Sequence, residues 1–86
     1  MKETIWKYEL EITDKQTLSL PPTSCFLAVQ EQKGKLMLWA RVDPNQLPVE
    51  RTILIHGTGH PISPEEKYIG TAQTTGGFLV WHVFEA

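Results

Sequence analysis

The stretch Cys25-Phe26-Leu27-Ala28-Val29-Gln30-Glu31-Gln32-Lys33-Gly34-Lys35-Leu36-Met37-Leu38-Trp39-Ala40-Arg41-Val42-Asp43 decides the fold class of this chain. Its two halves, residues 25–32 and 35–43, read as strands, and Lys33-Gly34-Lys35 joins them, because glycine adopts the positive φ that a tight hairpin turn demands. In the second half Leu36, Leu38, Ala40 and Val42 fall on one face and Met37, Trp39 and Arg41 on the other, the period of two that marks a strand. An indole and a guanidinium thus project together from the face opposite the apolar one.

The same alternation extends outward in both directions. Residues 4–13 place Trp6, Tyr8, Leu10 and Ile12 on one side and Lys7, Glu9 and Glu11 on the other, a half-buried strand with Trp6 in the core. A turn at Asp14-Lys15 leads into residues 16–20, which end at Pro21-Pro22 because proline donates no backbone N–H. These first two segments are expected to pair as a hairpin. Residues 51–57 form a fifth strand, with Ile53 and Ile55 opposite Leu54 and His56. Residues 57–66 form a loop, with one helical turn expected where Ser63 caps Pro64-Glu65-Glu66. Residues 67–75 and 77–85 make two further strands around Gly76-Gly77, and the last is apolar on both sides, as befits an interior or interface strand. The expectation is an all-β protein, a small antiparallel sandwich or barrel of about seven short strands with no substantial helix. At 86 residues the chain is one domain, 1–86.

Composition narrows the function. With 41% hydrophobic and 21% charged residues the chain is globular. Its net charge of -2 disfavours long nucleic acid, which requires a basic face. One cysteine excludes an internal disulfide and a thiolate zinc site. Cys25, beside Phe26, is expected as a small buried hydrophobe. Lys2-Glu3 leads directly into Ile5-Trp6 without the apolar run of a secretory leader, and prolines and glycines interrupt the longest uncharged stretches, so a cytoplasmic protein without a membrane span is expected. A chain this small buries a limited share of its surface, for which homo-oligomerisation compensates.

The densest cluster of special residues is His56-Gly57-Thr58-Gly59-His60-Pro61. Gly57 and Gly59 allow successive N–H groups to converge on an anion, Thr58 adds a hydroxyl, and His60 adds charge or a plate for a base. The alternative is a tight loop leaving a strand, since Gly-x-Gly alone is common. His56 and His60 have the spacing of helical metal ligands, but Gly57, Gly59 and Pro61 exclude a helix and no acidic residue recurs to orient the imidazoles, even with His82 as a third ligand. No metal and no cofactor are expected. Cys25, Ser19, Ser24 and Ser63 lack a nucleophile elbow, which argues against an enzyme. Trp39 beside Arg41 suits a stacked base and its phosphate, or equally a subunit interface.

Ile5-Trp6-Lys7-Tyr8, Leu38-Trp39-Ala40-Arg41-Val42-Asp43-Pro44, Gly57-Thr58-Gly59-His60-Pro61-Ile62 and Gly76-Gly77-Phe78-Leu79-Val80-Trp81-His82-Val83-Phe84-Glu85 give the whole chain a resemblance to a family of small proteins encoded by tailed bacteriophages. Such proteins are in turn similar to anti-CBASS sponge proteins. That resemblance implies a homo-oligomer that sequesters a cyclic di- or trinucleotide signal, without cleaving it, in the cytoplasm of an infected bacterial host. On this expectation Arg41, Gly57, Thr58 and Gly59 meet phosphates while Trp39 and His60 sandwich bases. The competing expectation is a module that blocks a host protein, anchored by Met37, Trp39 and Arg41. A small hydrolase using His60 and His82 is a third.

Overall fold

The computed structural model describes residues 2–86. Seven strands follow one another: β1 (Thr4–Leu10), β2 (Lys15–Leu20), β3 (Cys25–Gln32), β4 (Lys35–Val42), β5 (Val49–Gly57), β6 (Lys67–Thr74) and β7 (Leu79–Glu85). They build two antiparallel sheets, one of order β1-β4-β3 and one of order β2-β5-β7-β6. The chain is therefore all-β, as the alternation predicts, and of the sandwich and barrel expected it is the sandwich. No helix among the described residues is long and apolar enough to cross a membrane.

The central hairpin forms as expected. Gln32 pairs with Lys35, and Lys33 and Gly34 take φ of 53° and 80°, the two positive values of a type I′ turn. The β6–β7 hairpin also forms, through a short 3-10 turn at Thr75–Gly77. The hairpin expected between the first two segments does not form. Instead β1 pairs with β4 and β2 with β5, so these segments belong to different sheets. The loop between them is tied by the Gln16 amide, which accepts from the Glu11 N–H and donates to the Glu11 carbonyl. Crossing from sheet to sheet here gives Leu18 and Leu20 a core to enter; a hairpin would leave their face without a second layer.

The inner faces meet in one core. Leu36 and Leu38 of β4, Leu10 of β1 and Val29 of β3 pack on Ile53 and Ile55 of β5, Ala72 of β6 and Val83 of β7. Beside it, Leu20 of β2 packs on Ala40 and Val42, with Tyr8 and Leu18 against them. Apolar residues on both sides of β7 suit an interior or an interface strand, and the structure places it in the interior, between β5 and β6. On one side of the sandwich β3 and β6 approach closely. Each carries a bulge there, with Leu27 the extra residue in β3 and Ile69 in β6, and bulges bend the sheets toward one another.

Four local expectations are corrected. Trp6 is 41% exposed rather than buried, because it sits on edge strand β1, whose free side no strand covers. Ile12 lies beyond the end of β1 and is exposed. Cys25 is exposed, since it stands opposite Arg41 on the outer face. Residues 63–66 form a single turn closed by Glu66 N–H to Ser63 C=O at 3.1 Å, not a helical one.

Candidate functional site

The site-forming loop leaves the end of β5 and folds over the outer face of the four-stranded sheet. Register puts His56 of β5 directly opposite His82 of β7, and His82 opposite Thr71 of β6. Long-range pairing therefore assembles on one face imidazoles that lie 26 positions apart in the chain.

Each histidine has a different role. The His56 Nε2 pairs with the Glu66 carboxylate at 2.6 Å, and the other Glu66 oxygen accepts from the Ser63 N–H at 2.8 Å. The acidic partner that the sequence did not reveal is thus Glu66. The His82 Nε2 lies 2.8 Å from the Thr58 hydroxyl and its Nδ1 3.0 Å from the Thr71 hydroxyl. Thr71 in turn lies 2.6 Å from the Tyr68 hydroxyl, so a continuous polar chain crosses the face. His60 is held by its own loop: its N–H donates to the Gly57 carbonyl at 3.2 Å, and its Nδ1 accepts the Gly57 N–H at 3.1 Å. A neutral imidazole that accepts at Nδ1 carries its proton on Nε2. The free edge of His60 is therefore a donor. The ring lies against the Gly57 backbone, where a Cβ would come within 3.0 Å of its Cε1.

Phe84 forms the floor, edge-on to both His56 and Tyr68 with centroids 5.6 and 5.4 Å away. A cavity of about 220 Å³ opens among His56, Gly59, His60, Ile62, His82 and Phe84. A second, of about 360 Å³, lies between His60, Thr58, Phe78 and Trp81, and a third, of about 280 Å³, between His60, Asp14, Ile55 and Trp81. Trp81 and His82 face different cavities, as their alternation along β7 requires. His60 and Gly57 both border all three cavities.

Gly57, Thr58, Gly59 and His60 are thus brought together as expected, although the Gly57 N–H is used within the loop. Trp39 and Arg41 stand apart from them. Both project from the outer face of the three-stranded sheet, where Trp39 is opposite Lys7 and Ala28, and Arg41 is paired with Glu3 at 3.1 Å. Neither lines a cavity at the loop. Phe78 is 88% exposed beside His60 and was not singled out from sequence. Its position after Gly76-Gly77, at a hairpin end, is the signal that would have found it. Among the described residues no three His, Cys, Asp or Glu side chains are grouped to hold a metal ion.

Glu66 is held below the usual carboxylate range, first by the Ser63 N–H and then by His56. Its contribution to stability is complete above its unfolded value of about 4.3 and is lost as pH falls through the lower folded value. The Glu66→Gln variant should therefore melt below the native chain above about pH 5. That gap should close as the pH falls through the lowered folded value. Melting curves across pH test this, and a gap that stays constant into acid would refute it.

These features define a small antiparallel sandwich that presents a histidine- and threonine-lined loop on one outer face. A family model described as "Domain of unknown function (DUF7352)" matches residues 1–86, and the chain belongs to that family. No curated protein and no solved structure matches it.

Proposed function

We propose that this chain is a binding protein rather than a catalyst, and that it holds a small ligand with a planar base and a phosphate at the Gly57–His60 end. The observation that carries this reading is the preorganised plate: His60 is locked on Gly57 with its Nε2–H free, and it lines a cavity of about 360 Å³ together with exposed Phe78. Two aromatic side chains lining one space, with the His60 Nε2–H as a donor, suit stacking on a base, and sequence-tolerant stacking is worth about 1–3 kcal/mol per base. The cavity is at the small end of ligand pockets, so a cyclic di- or trinucleotide would span more than one of the three around His60. Catalysis is disfavoured by where the carboxylate goes. Glu66 serves His56, whereas His82, the imidazole in reach of a hydroxyl, has only hydroxyls on both nitrogens. Nothing there stabilises an imidazolium.

With the resemblance to phage proteins, the function we propose is sequestration of a cyclic nucleotide signal in the cytoplasm of an infected bacterium, without cleavage. Native mass spectrometry against cyclic di- and trinucleotides tests it. We expect an intact, stoichiometric adduct. His60→Ala and Phe78→Ala should each weaken it about tenfold or more, while Phe78→Ala leaves the ligand-free melting temperature nearly unchanged because the ring is exposed. Ligand released in cleaved form would instead establish a hydrolase.

One observation favours a second reading. Met37 and Trp39 are half-buried beside exposed Arg41 on the outer face of the other sheet, the residue types of a protein-binding hot spot. If no nucleotide binds, inhibition of a host protein through this face is the proposal that takes its place, and Trp39→Ala is the variant that tests it.

A further inference from the structure

The four edge strands are not equivalent. β3 and β6 are both bulged and face each other across one side of the sandwich. β2 is short and runs into Pro21-Pro22. β1 differs from all three: seven residues pair with β4 in unbroken register, and its other edge pairs with no strand among the described residues. Native edges are usually blunted by bulges, prolines or inward charges. β1 has none of these; its charges, Lys7 and Glu9, are of opposite sign and lie on the outer face, and it exposes Ile5 (58%) and Trp6.

We propose that β1 is a homodimerisation edge, pairing antiparallel with β1 of a second copy about a two-fold axis through Tyr8. The register follows from charge. Opposed residues in an antiparallel pair share a face. Centring the pair on Tyr8 sets Lys7 opposite the Glu9 of the second copy, twice by symmetry, and Trp6 opposite Leu10. Centring it on Lys7 would oppose the two lysines and is disfavoured. Lys7 and Glu9 are free to form these contacts, because their partners within the chain, Gln32 at 2.8 Å and Lys35 at 3.4 Å, are exposed surface contacts. The result is a continuous six-stranded sheet, an isologous interface in which the same strand serves both copies. It would also supply the burial that an 86-residue chain lacks.

This interface is separate from the His60 cavities, so its failure leaves the ligand reading untouched. Light scattering after size exclusion should give the mass of a dimer. Lys7→Glu converts two attractive pairs to repulsive ones and should raise the dimer dissociation constant about tenfold, and adding Glu9→Lys should restore it. Since both side chains are exposed, each variant keeps its fold, which a melting curve verifies. In a Cys25→Ser background, Lys7→Cys chains mixed with Glu9→Cys chains should form a disulfide-linked dimer far more readily than either alone, because directly opposed residues lie within disulfide reach. A monomer at every concentration overturns the proposal. So does a dimer indifferent to Lys7→Glu, or a mixture that does not cross-link.

Discussion

Replacing Arg51 by alanine should lower the melting temperature by about 10–20 °C, the shift expected for a loss of about 2–3 kcal/mol in a domain of this size. Arg51 ties together three strands and both sheets. From β5 its Nε and Nη2 donate to the two oxygens of Glu85 on β7, at 2.6 and 2.7 Å. Its Nη1 donates to the Ser24 carbonyl at 2.8 Å, and the guanidinium lies 4.6 Å from the centroid of the Phe26 ring on β3. The pair is mostly sheltered, with side chains 19% and 17% exposed, so it escapes the screening that makes surface ion pairs nearly worthless. Alanine would leave the Glu85 carboxylate sheltered and unpaired, which costs more than the pair itself contributes. Arg51→Lys should recover only part of the loss, because an ammonium cannot reach both carboxylate oxygens and the Ser24 carbonyl together. Calorimetry of the two variants decides the matter. A shift of only a degree or two for alanine would mean that the bidentate pair is energetically a surface contact.

Gly70→Ala should cost about 1–3 kcal/mol, although alanine normally favours a strand over glycine. The reason is the seam between β3 and β6. A Cβ at position 70 would sit 3.1 Å from the Val29 Cγ2, 3.2 Å from its Cβ and 3.4 Å from its backbone nitrogen. Val29 is a buried core residue and its backbone cannot yield, so the two edges must separate. Val29→Ala alone should also destabilise, by creating a cavity. The informative variant is the double one. If steric conflict is the cause, Gly70→Ala with Val29→Ala costs less than the sum of the single changes, a coupling that chemical denaturation can resolve. Strict additivity would show that glycine is not required for the approach of the sheets.

The residues grouped from sequence separate in the structure, Gly57, Thr58, Gly59 and His60 in one loop and Trp39 and Arg41 on the other sheet, and the reason is geometric. Gly57, Thr58, Gly59 and His60 are contiguous, so any loop that contains them keeps them together. Trp39 and Arg41 were grouped with them by chemistry alone. Alternation establishes that those two share a face, but it carries no information on which sheet that face belongs to. The partners that matter most were invisible for the same reason. Arg51 and Glu85 lie 34 positions apart, and His56 and His82 meet only because β7 inserts between β5 and β6.

By itself the sequence determined the all-β class, the approximate strand boundaries, the β3–β4 and β6–β7 hairpins and the loop that carries Gly57 to His60. All of these depend on local physics: side-chain alternation, the positive φ of glycine in turns, and the missing N–H of proline. Only the tertiary structure decided that β1 and β2 part into different sheets, that Trp6 and Cys25 stay exposed, that Glu66 serves His56, and that Trp39 and Arg41 face away from His60. Those outcomes depend on which apolar faces bury one another across long separations, and a given alternation satisfies many such pairings until the whole core is assembled.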